Sequence, residues 1–296
     1  MAEPFETGHH AKLEPVRTHE SGSANGEPLS RQMTISISPE QYERLFFQPT
    51  PARGDLAKRL GNPTLLGLCG FLIPFQTTMF CCLGWQGASV PSTVAISGTY
   101  YFLGGIAMNV AGICEFILGN TYPFAVFVVF GCHWCNLAFS TDPAHNLGSA
   151  FGEAGAASIA FQSGTGFYNV TMTLISFVFF LASLRTNVPF CISIFCLIPL
   201  FGCFAGANFV AGHNPTIEGL EQAAYLAKVG AGFGFATCLC GWYLAIITGC
   251  AATGVPCPLP IFDLSTHVFS GTKAAADEMA GAGGGAVARN NHAKDA

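Results

Sequence analysis

Charged side chains are scarce in this 296-residue chain, because Asp, Glu, Lys and Arg make up only 10% of it while hydrophobic residues make up 51%. Soluble domains carry about 25% charged residues. The shortage of charge and the mean hydropathy of +0.45 exclude an ordinary soluble domain and indicate a membrane protein. A strongly basic patch is also missing, so nothing in the sequence points to a nucleic-acid partner.

The N-terminal region lacks the apolar core of a cleavable signal peptide. We expect residues 1–50 to form a flexible cytoplasmic tail with a short helix near 38–46. Ser38 and Gln41 have the spacing of a capping box, which favours a helix start at that point.

Six long apolar segments follow the tail, each near or above the ~20 residues that span a bilayer as a helix. They predict an all-α membrane protein in which six transmembrane helices form a compact bundle within residues 51–265. A disordered cytoplasmic tail is expected at 266–296. The predicted spans are 64–84, 94–117, 122–140, 164–184, 188–211 and 229–251.

The positive charges predict the orientation of the bundle. With the N-terminus inside the cell, Lys228 is the one member of the 12 Lys and Arg residues that falls in an outside connection. Arg53, Lys58, Arg59 and Arg185 all lie near predicted inside ends. Since inside connections carry an excess of Lys and Arg, both termini are predicted to be cytoplasmic.

Glycine pairs at four-residue spacing occur in the last two spans, at Gly202 and Gly206 and at Gly230 and Gly234. Such pairs let helices approach closely in lipid. They support a compact bundle and an oligomer, and they carry no chemistry.

Glu115 is the one acidic residue deep in a predicted span. An ionisable group in the membrane costs ~2.5 kcal/mol or more, and it marks a substrate pathway or a proton relay. Two alternatives remain open. Glu115 could reach interfacial water at the helix end, or it could make a structural hydrogen bond with Asn120 or Thr121.

The stretch "GCHWC" places Cys132 and Cys135 around His133 and Trp134. A structural zinc site needs four ligands, and no second pair has suitable spacing. We therefore predict no metal and no cofactor, and we interpret these residues as packing around a buried His and Trp. No convergent nucleophile and base occur either, so the chain is not predicted to be an enzyme.

The stretch "NPTLLGL" begins the first span and raises the question of why Asn62 and Pro63 stand there. Asn62 suits an N-cap, and Pro63 suits the first helical position. A second "NPT" triplet begins at Asn214. Paired triplets also occur in aquaporins, but there they belong to re-entrant half-helices, which this chain lacks.

Several segments together resemble the acetate uptake transporters, also called succinate–acetate permeases. "NPTLLGL" is similar to the NPAPLGL signature of that family, and "GGIAMNVAGICEFILGNTYPFAVF" (104–127) resembles its second and third helices. "GFGFATCLCGWYLAIITG" (232–249) has the Trp-Tyr pair of its last helix. The N-terminal "PEQYERLF" is similar to the longer fungal members. The resemblance covers about residues 40–265.

The resemblance implies a plasma-membrane homo-hexamer with cytoplasmic termini, in which each protomer has its own pore. The implied substrates are acetate and similar small monocarboxylates, with succinate as a further candidate and proton coupling through Glu115 as a hypothesis. By motif position, the narrow apolar point of the pore is assigned to Phe71, Phe130 and Leu197. The residues assigned to substrate binding are Asn62, Thr64, Glu115, Asn120 and Thr121.

Three departures from the family pattern keep other functions open. Thr64 and Leu65 replace Ala-Pro, Phe130 replaces a constriction Tyr, and Met108 replaces a Gln. Each change is expected to make the path less polar. One alternative is a membrane sensor or regulator that keeps the fold without transport, and another is an ammonium-related exporter.

Overall fold

The computed structural model of the protein describes residues 60–264, and this part of the chain is helical. It contains six helices that are long and apolar enough to cross a membrane, which confirms the predicted fold class. The predicted helix near 38–46 and both predicted tails lie outside the described residues. The six helices are α1 (Thr64–Leu83), α2 (Val90–Ile117), α3 (Thr121–Thr141), α4 (Ile159–Ser183), α5 (Val188–His213) and α6 (Ile217–Thr253).

Three of the helices begin several residues before their predicted spans, and for α4 and α6 the reason is a side-chain cap. α4 begins at Ile159 rather than at 164, because the Ser158 hydroxyl accepts a hydrogen bond from the Phe161 N–H (3.2 Å). α6 begins at Ile217 rather than at 229, because Thr216 caps it in the same way. Hydropathy detects the apolar part of a helix, whereas these caps lie in polar sequence.

The 37 residues of α6 extend over about 55 Å, which exceeds the ~30 Å hydrocarbon core of a bilayer. α6 is therefore about 25 Å longer than the hydrocarbon core requires. Lys228 lies in this helix rather than in a connection. Its ammonium group comes close to Gly84, which ends α1, so the charge lies at the level of that membrane face.

α2 changes its winding along its length. A 3-10 segment (Val90–Ile96) and a short α-helical turn (Ser97–Thr99) lead into a π-helix (Tyr100–Ala107), and an α-helix (Met108–Ile117) completes it. The span therefore begins at 90 rather than at the predicted 94. Wide π-helical turns inside helices are frequent at functional sites.

The helices form a bundle in which α5 packs along both α4 and α6, α1 packs on α6 and α2, and α2 packs on α3. Gly230 and Gly234 lie in such contacts: a Cβ atom at Gly234 would lie 2.1 Å from the Met79 sulfur. Gly202 and Gly206 are less tightly packed, with nearest atoms at 4.0 and 3.6 Å. One predicted glycine pair thus serves packing inside the chain.

Large apolar side chains cover the outside of the bundle. Phe102 is 67% exposed, and Phe116, Phe167 and Leu174 are exposed to a similar degree. An apolar outer surface around six long apolar helices is the arrangement expected in lipid. These features define a multi-pass membrane protein.

Candidate substrate pathway

The start of α1 is fixed by Asn62. Its side-chain oxygen accepts a hydrogen bond from the Thr64 N–H at 2.8 Å, although Asn62 stands one position before the N-cap residue that was predicted for it. Pro63 occupies the position just before the helix rather than its first turn, so that detail was wrong by one residue. Asn62 itself is exposed at this end of the bundle.

Glu115 is completely buried near the end of α2. The Thr64 hydroxyl donates to its Oε1 at 2.6 Å, and the Asn120 amide donates to its Oε2 at 2.7 Å. Each carboxylate oxygen therefore accepts a short hydrogen bond, at the distances typical of charge-assisted bonds. These bonds join the start of α1, the end of α2 and the residue before α3.

Four of the five residues assigned to substrate binding are therefore linked by hydrogen bonds, and we call Asn62, Thr64, Glu115 and Asn120 the polar cluster. Thr121 follows directly as the first residue of α3 and is exposed. The interpretation that Thr64 makes the path less polar was wrong. Its hydroxyl adds a donor to Glu115 that Ala could not supply.

A partly open cavity of about 600 Å³ lies between the helices, and all six helices contribute to its lining. Most of its lining residues come from the second halves of α1, α3 and α5 and from the first halves of α2, α4 and α6, while Phe71, Phe130 and Leu197 lie just before the middle of their helices. Because successive spans run in opposite directions, these halves share one end of the bundle. The polar cluster lies at the other end.

Phe71, Phe130 and Leu197 all line this cavity. Phe71 lies in α1, Phe130 in α3 and Leu197 in α5. Within its own helix, each of them is the cavity-lining residue closest to the polar cluster. We call these three residues the cavity floor. Phe130 and Leu197 are buried, whereas Phe71 is half-buried. The structure thus places the three predicted constriction residues around the same cavity, and whether they form a constriction stays a prediction.

Aromatic contacts hold the floor in place. The Phe71 ring stacks on Phe75 with a centroid distance of 4.6 Å, and the Phe130 ring meets Phe179 edge-on at 5.9 Å. Met108 is not part of the cavity lining. It is buried between α1 and α2, where it packs over Gly70. The departure at Met108 therefore leaves the cavity wall unchanged.

The cavity wall also carries polar residues that the sequence did not reveal as a group. His133 Nδ1 lies 2.8 Å from the Tyr168 hydroxyl, and the Asn169 amide donates to Asn208 at 3.1 Å. In the sequence, His133 and Tyr168 are 35 positions apart, and Asn169 and Asn208 are 39 positions apart. A lone His in an apolar span was the available signal, but it was interpreted as packing.

The burial of the "GCHWC" residues agrees only in part with their interpretation as packing around a buried His and Trp. Trp134 is buried, but His133 is only part-buried, and both Cys132 and Cys135 are exposed on the bundle. Within residues 60–264, no group of three or more His, Cys, Asp or Glu side chains is arranged to hold a metal ion.

Six apolar helices around a cavity lined towards one end by Phe71, Phe130 and Leu197 define the class of this protein: it is a multi-pass helical membrane protein with a cavity large enough for a small solute. Its sequence then gives the family. The profile of the GPR1/FUN34/yaaH family matches residues 46–266, and the chain belongs to that family. This match confirms the resemblance carried by the "NPTLLGL" and "GNT" segments.

Individual relatives agree with this assignment. Protein alcS of Aspergillus fumigatus is 32% identical over 265 residues, covering 87% of this chain and 94% of that protein. The acetate transporter protein patA of Aspergillus clavatus is 27% identical over 187 residues, covering 62% of this chain and 71% of patA. The name of patA shows that this family includes a transport protein.

The fold is also found in a solved structure. The bacterial acetate channel SatP aligns with a TM-score of 0.54 and 24% sequence identity, covering 68% of this chain and 99% of the SatP chain. This likeness supports the six-helix arrangement.

Proposed function

We propose that this protein is a plasma-membrane channel or transporter for acetate and similar small monocarboxylates. One observation carries the proposal: Phe71, Phe130 and Leu197 line the cavity on the side of the polar cluster, in which Thr64 and Glu115 are buried and Asn62 is exposed. A solute that moves along the bundle meets a polar entrance, an apolar barrier and a wide cavity in turn.

The polar entrance suits a carboxylate. The start of α1 presents backbone N–H groups and the positive end of the helix dipole, both of which favour anions. Asn62 is exposed there, and Phe71 lies nine residues later, which is about 13.5 Å deeper at 1.5 Å per residue. Polar capture of the carboxylate followed by an apolar gate suits a small acid with a methyl end.

The assembly and orientation belong to the same proposal. Both termini are cytoplasmic, as the distribution of Lys and Arg predicts, and six protomers form a hexamer with one pore each. Cysteine labelling at engineered tail positions tests the orientation. Labelling of either tail from outside intact cells contradicts it.

Flux of labelled acetate into reconstituted vesicles tests the function. Phe71→Ala widens the floor, so we expect a higher acetate flux or entry of larger acids. Phe80→Ala removes the same ring from a residue of α1 that does not line the cavity, and it serves as the matched control. Equal flux and selectivity in both variants would remove Phe71 from the gate.

The same vesicles separate the alternative functions. A sensor or regulator predicts no acetate flux from folded wild-type protein, and the replacement of Tyr by Phe130 is the departure that favours it. An ammonium-related exporter predicts ammonium release without acetate flux. Acetate flux that depends on the floor residues excludes both alternatives.

A further inference from the structure

The connection between α3 and α4 lies at the end of the bundle away from the polar cluster, which the cavity reaches at Thr141 and Leu147. Most of this connection is an irregular 3-10 segment, Leu147–Ala157, which we call the mouth segment. The Leu147 side chain is half-buried in the cavity lining. Phe151 packs edge-on against Phe161, another lining residue, with 5.3 Å between the ring centroids. Apolar side chains of the mouth segment therefore cover part of the cavity.

The mouth segment is a compact loop whose two ends come together. A Cβ atom at Gly148 would lie 3.0 Å from the Ala156 nitrogen, so the backbone returns on itself there. Inside the loop, Gly152 and Gly155 have φ values of +68° and +55°, which L side chains rarely adopt. Compact loops with close ends are frequently functional. This one packs mainly on α4.

One side chain ties the base of this loop to the cavity wall. Gln162 Nε2 donates to the Ala156 carbonyl oxygen at 2.8 Å. Gln162 Oε1 accepts from the Asn208 amide at 2.8 Å, and Asn208 Oδ1 accepts from the Asn169 amide at 3.1 Å. Asn169 and Asn208 both line the cavity. The three amide side chains thus form a continuous chain of hydrogen bonds from the cavity wall to the mouth segment.

The residues before the mouth segment are held against α2 and α3. The Tyr101 hydroxyl lies 3.5 Å from both Asp142 Oδ2 and His145 Nδ1. The His145 ring packs on Phe139 with 3.9 Å between centroids. Asn146 follows with a φ of +39°, a left-handed conformation that Asn tolerates better than most residues. The chain is therefore anchored as far as His145 and turns sharply at the next residue.

We propose that the mouth segment is a lid that opens and closes this end of the cavity, and that the Gln162 side chain is its latch. The lid turns about Asn146 and about the start of α4. When the hydrogen bond from Gln162 to Ala156 breaks, the lid moves away from the cavity. Because Gln162 also bonds to Asn208, a change at the cavity wall reaches the latch directly. The inference rests on the proposed function only for its consequence, which is that the lid regulates flux.

Chemical modification of Cys82 in the purified full-length protein tests this proposal. Among the described residues, Cys82 is the one cysteine that lines the cavity, and it is half-buried. A charged methanethiosulfonate reagent modifies the thiols, and site-resolved mass spectrometry gives the rate for each cysteine separately. Cys132 is exposed on the bundle outside the cavity and serves as the internal reference.

Gln162→Met keeps the length of the side chain and removes its hydrogen bonds. Loss of a net hydrogen bond shifts an equilibrium about 2- to 10-fold, so the rate of Cys82 modification should rise by about that factor. Backbone hydrogen exchange in the mouth segment should rise as well, while the Cys132 rate stays unchanged. Gln222→Met, at an exposed position of α6, is the matched control and should leave both rates unchanged.

Asn208→Leu provides a second variant if Gln162→Met does not fold. It keeps a similar size and removes the donor that orients the Gln162 amide, so Cys82 modification should again be faster. An unchanged Cys82 rate in a folded variant overturns the lid. An equal rise in the Cys82 and Cys132 rates also overturns it, because that result shows a general loosening of the bundle. Since access to a thiol is measured without flux, a failed acetate assay contradicts the proposed function and not the lid.

Discussion

Replacing Glu115 by Gln tests what the buried carboxylate does. Gln keeps the size of the side chain. Its Oε1 can accept from Asn120, and its Nε2 can donate to Thr64, whose hydroxyl rotates to accept. The network is therefore retained, and only the charge and the ability to exchange a proton are lost.

The expected loss of stability follows from the two bonds. The Thr64 and Asn120 donors lie 2.6 and 2.7 Å from the carboxylate oxygens. A hydrogen bond to a charged group contributes about 1 kcal/mol more than a neutral one. Glu115→Gln should therefore lower the free energy of unfolding by about 2 kcal/mol if the carboxylate is ionised, and by much less if it is protonated.

Equilibrium unfolding in mixed micelles measures this difference. Glu221→Gln, which makes the same change at an exposed position of α6, is the control and should have little effect. Equal stability of the two variants would refute an ionised Glu115. The proton relay is tested separately, since acetate flux through Glu115→Gln should lose its pH dependence. A retained pH dependence would show that Glu115 acts only as a structural acceptor.

Two further predictions concern packing at this part of the bundle. Thr64→Ala leaves a buried carboxylate oxygen without its hydroxyl donor and should lower the free energy of unfolding by about 1.5–3 kcal/mol. The control Thr77→Ala loses only a hydrogen bond to a backbone carbonyl within α1, so it should lower the free energy of unfolding far less. Gly70→Ala would place a Cβ 2.9 Å from the Leu103 carbonyl oxygen and should destabilise the protein by about 1–3 kcal/mol. Gly232→Ala has open space and should instead stabilise it by about 0.5–1 kcal/mol. Thermal unfolding of the purified variants checks the order, and equal melting temperatures for the two Ala variants of glycine would contradict the close approach of α1 and α2.

The six helices were predictable because each contains a long apolar run, and lipid requires such runs to be helical. The starts of α4 and α6 were not, because Ser158 and Thr216 fix them through side-chain caps in polar sequence. The π-helix (Tyr100–Ala107) also escaped prediction. Its winding depends on how α2 packs against α1 and α3, which no local pattern records.

The polar cluster was predictable in part. Glu115 stands out as an acid in an apolar span, and Asn120 is near it in sequence. The bond between Thr64 and Glu115 joins residues 51 positions apart and depends on how α1 and α2 pack. The contact between His133 and Tyr168 was missed for the same reason. The aromatic floor residues came from the family resemblance, since nothing distinguishes them among 27 Phe residues by composition.

The polar cluster and the cavity floor are mechanically linked through α1 and α3. Phe71 lies seven residues after Thr64, and Phe130 lies ten residues after Asn120, which places the two rings about 10 and 15 Å along their helices from the Glu115 contacts. A helix transmits a displacement of its first turn to such a distance because its backbone is rigid. Glu115 can therefore affect flux even as a purely structural residue, by holding α1 and α3 in register. A changed flux in Glu115→Gln thus does not by itself identify a proton relay, and the pH dependence of that flux is the measurement that separates the two roles.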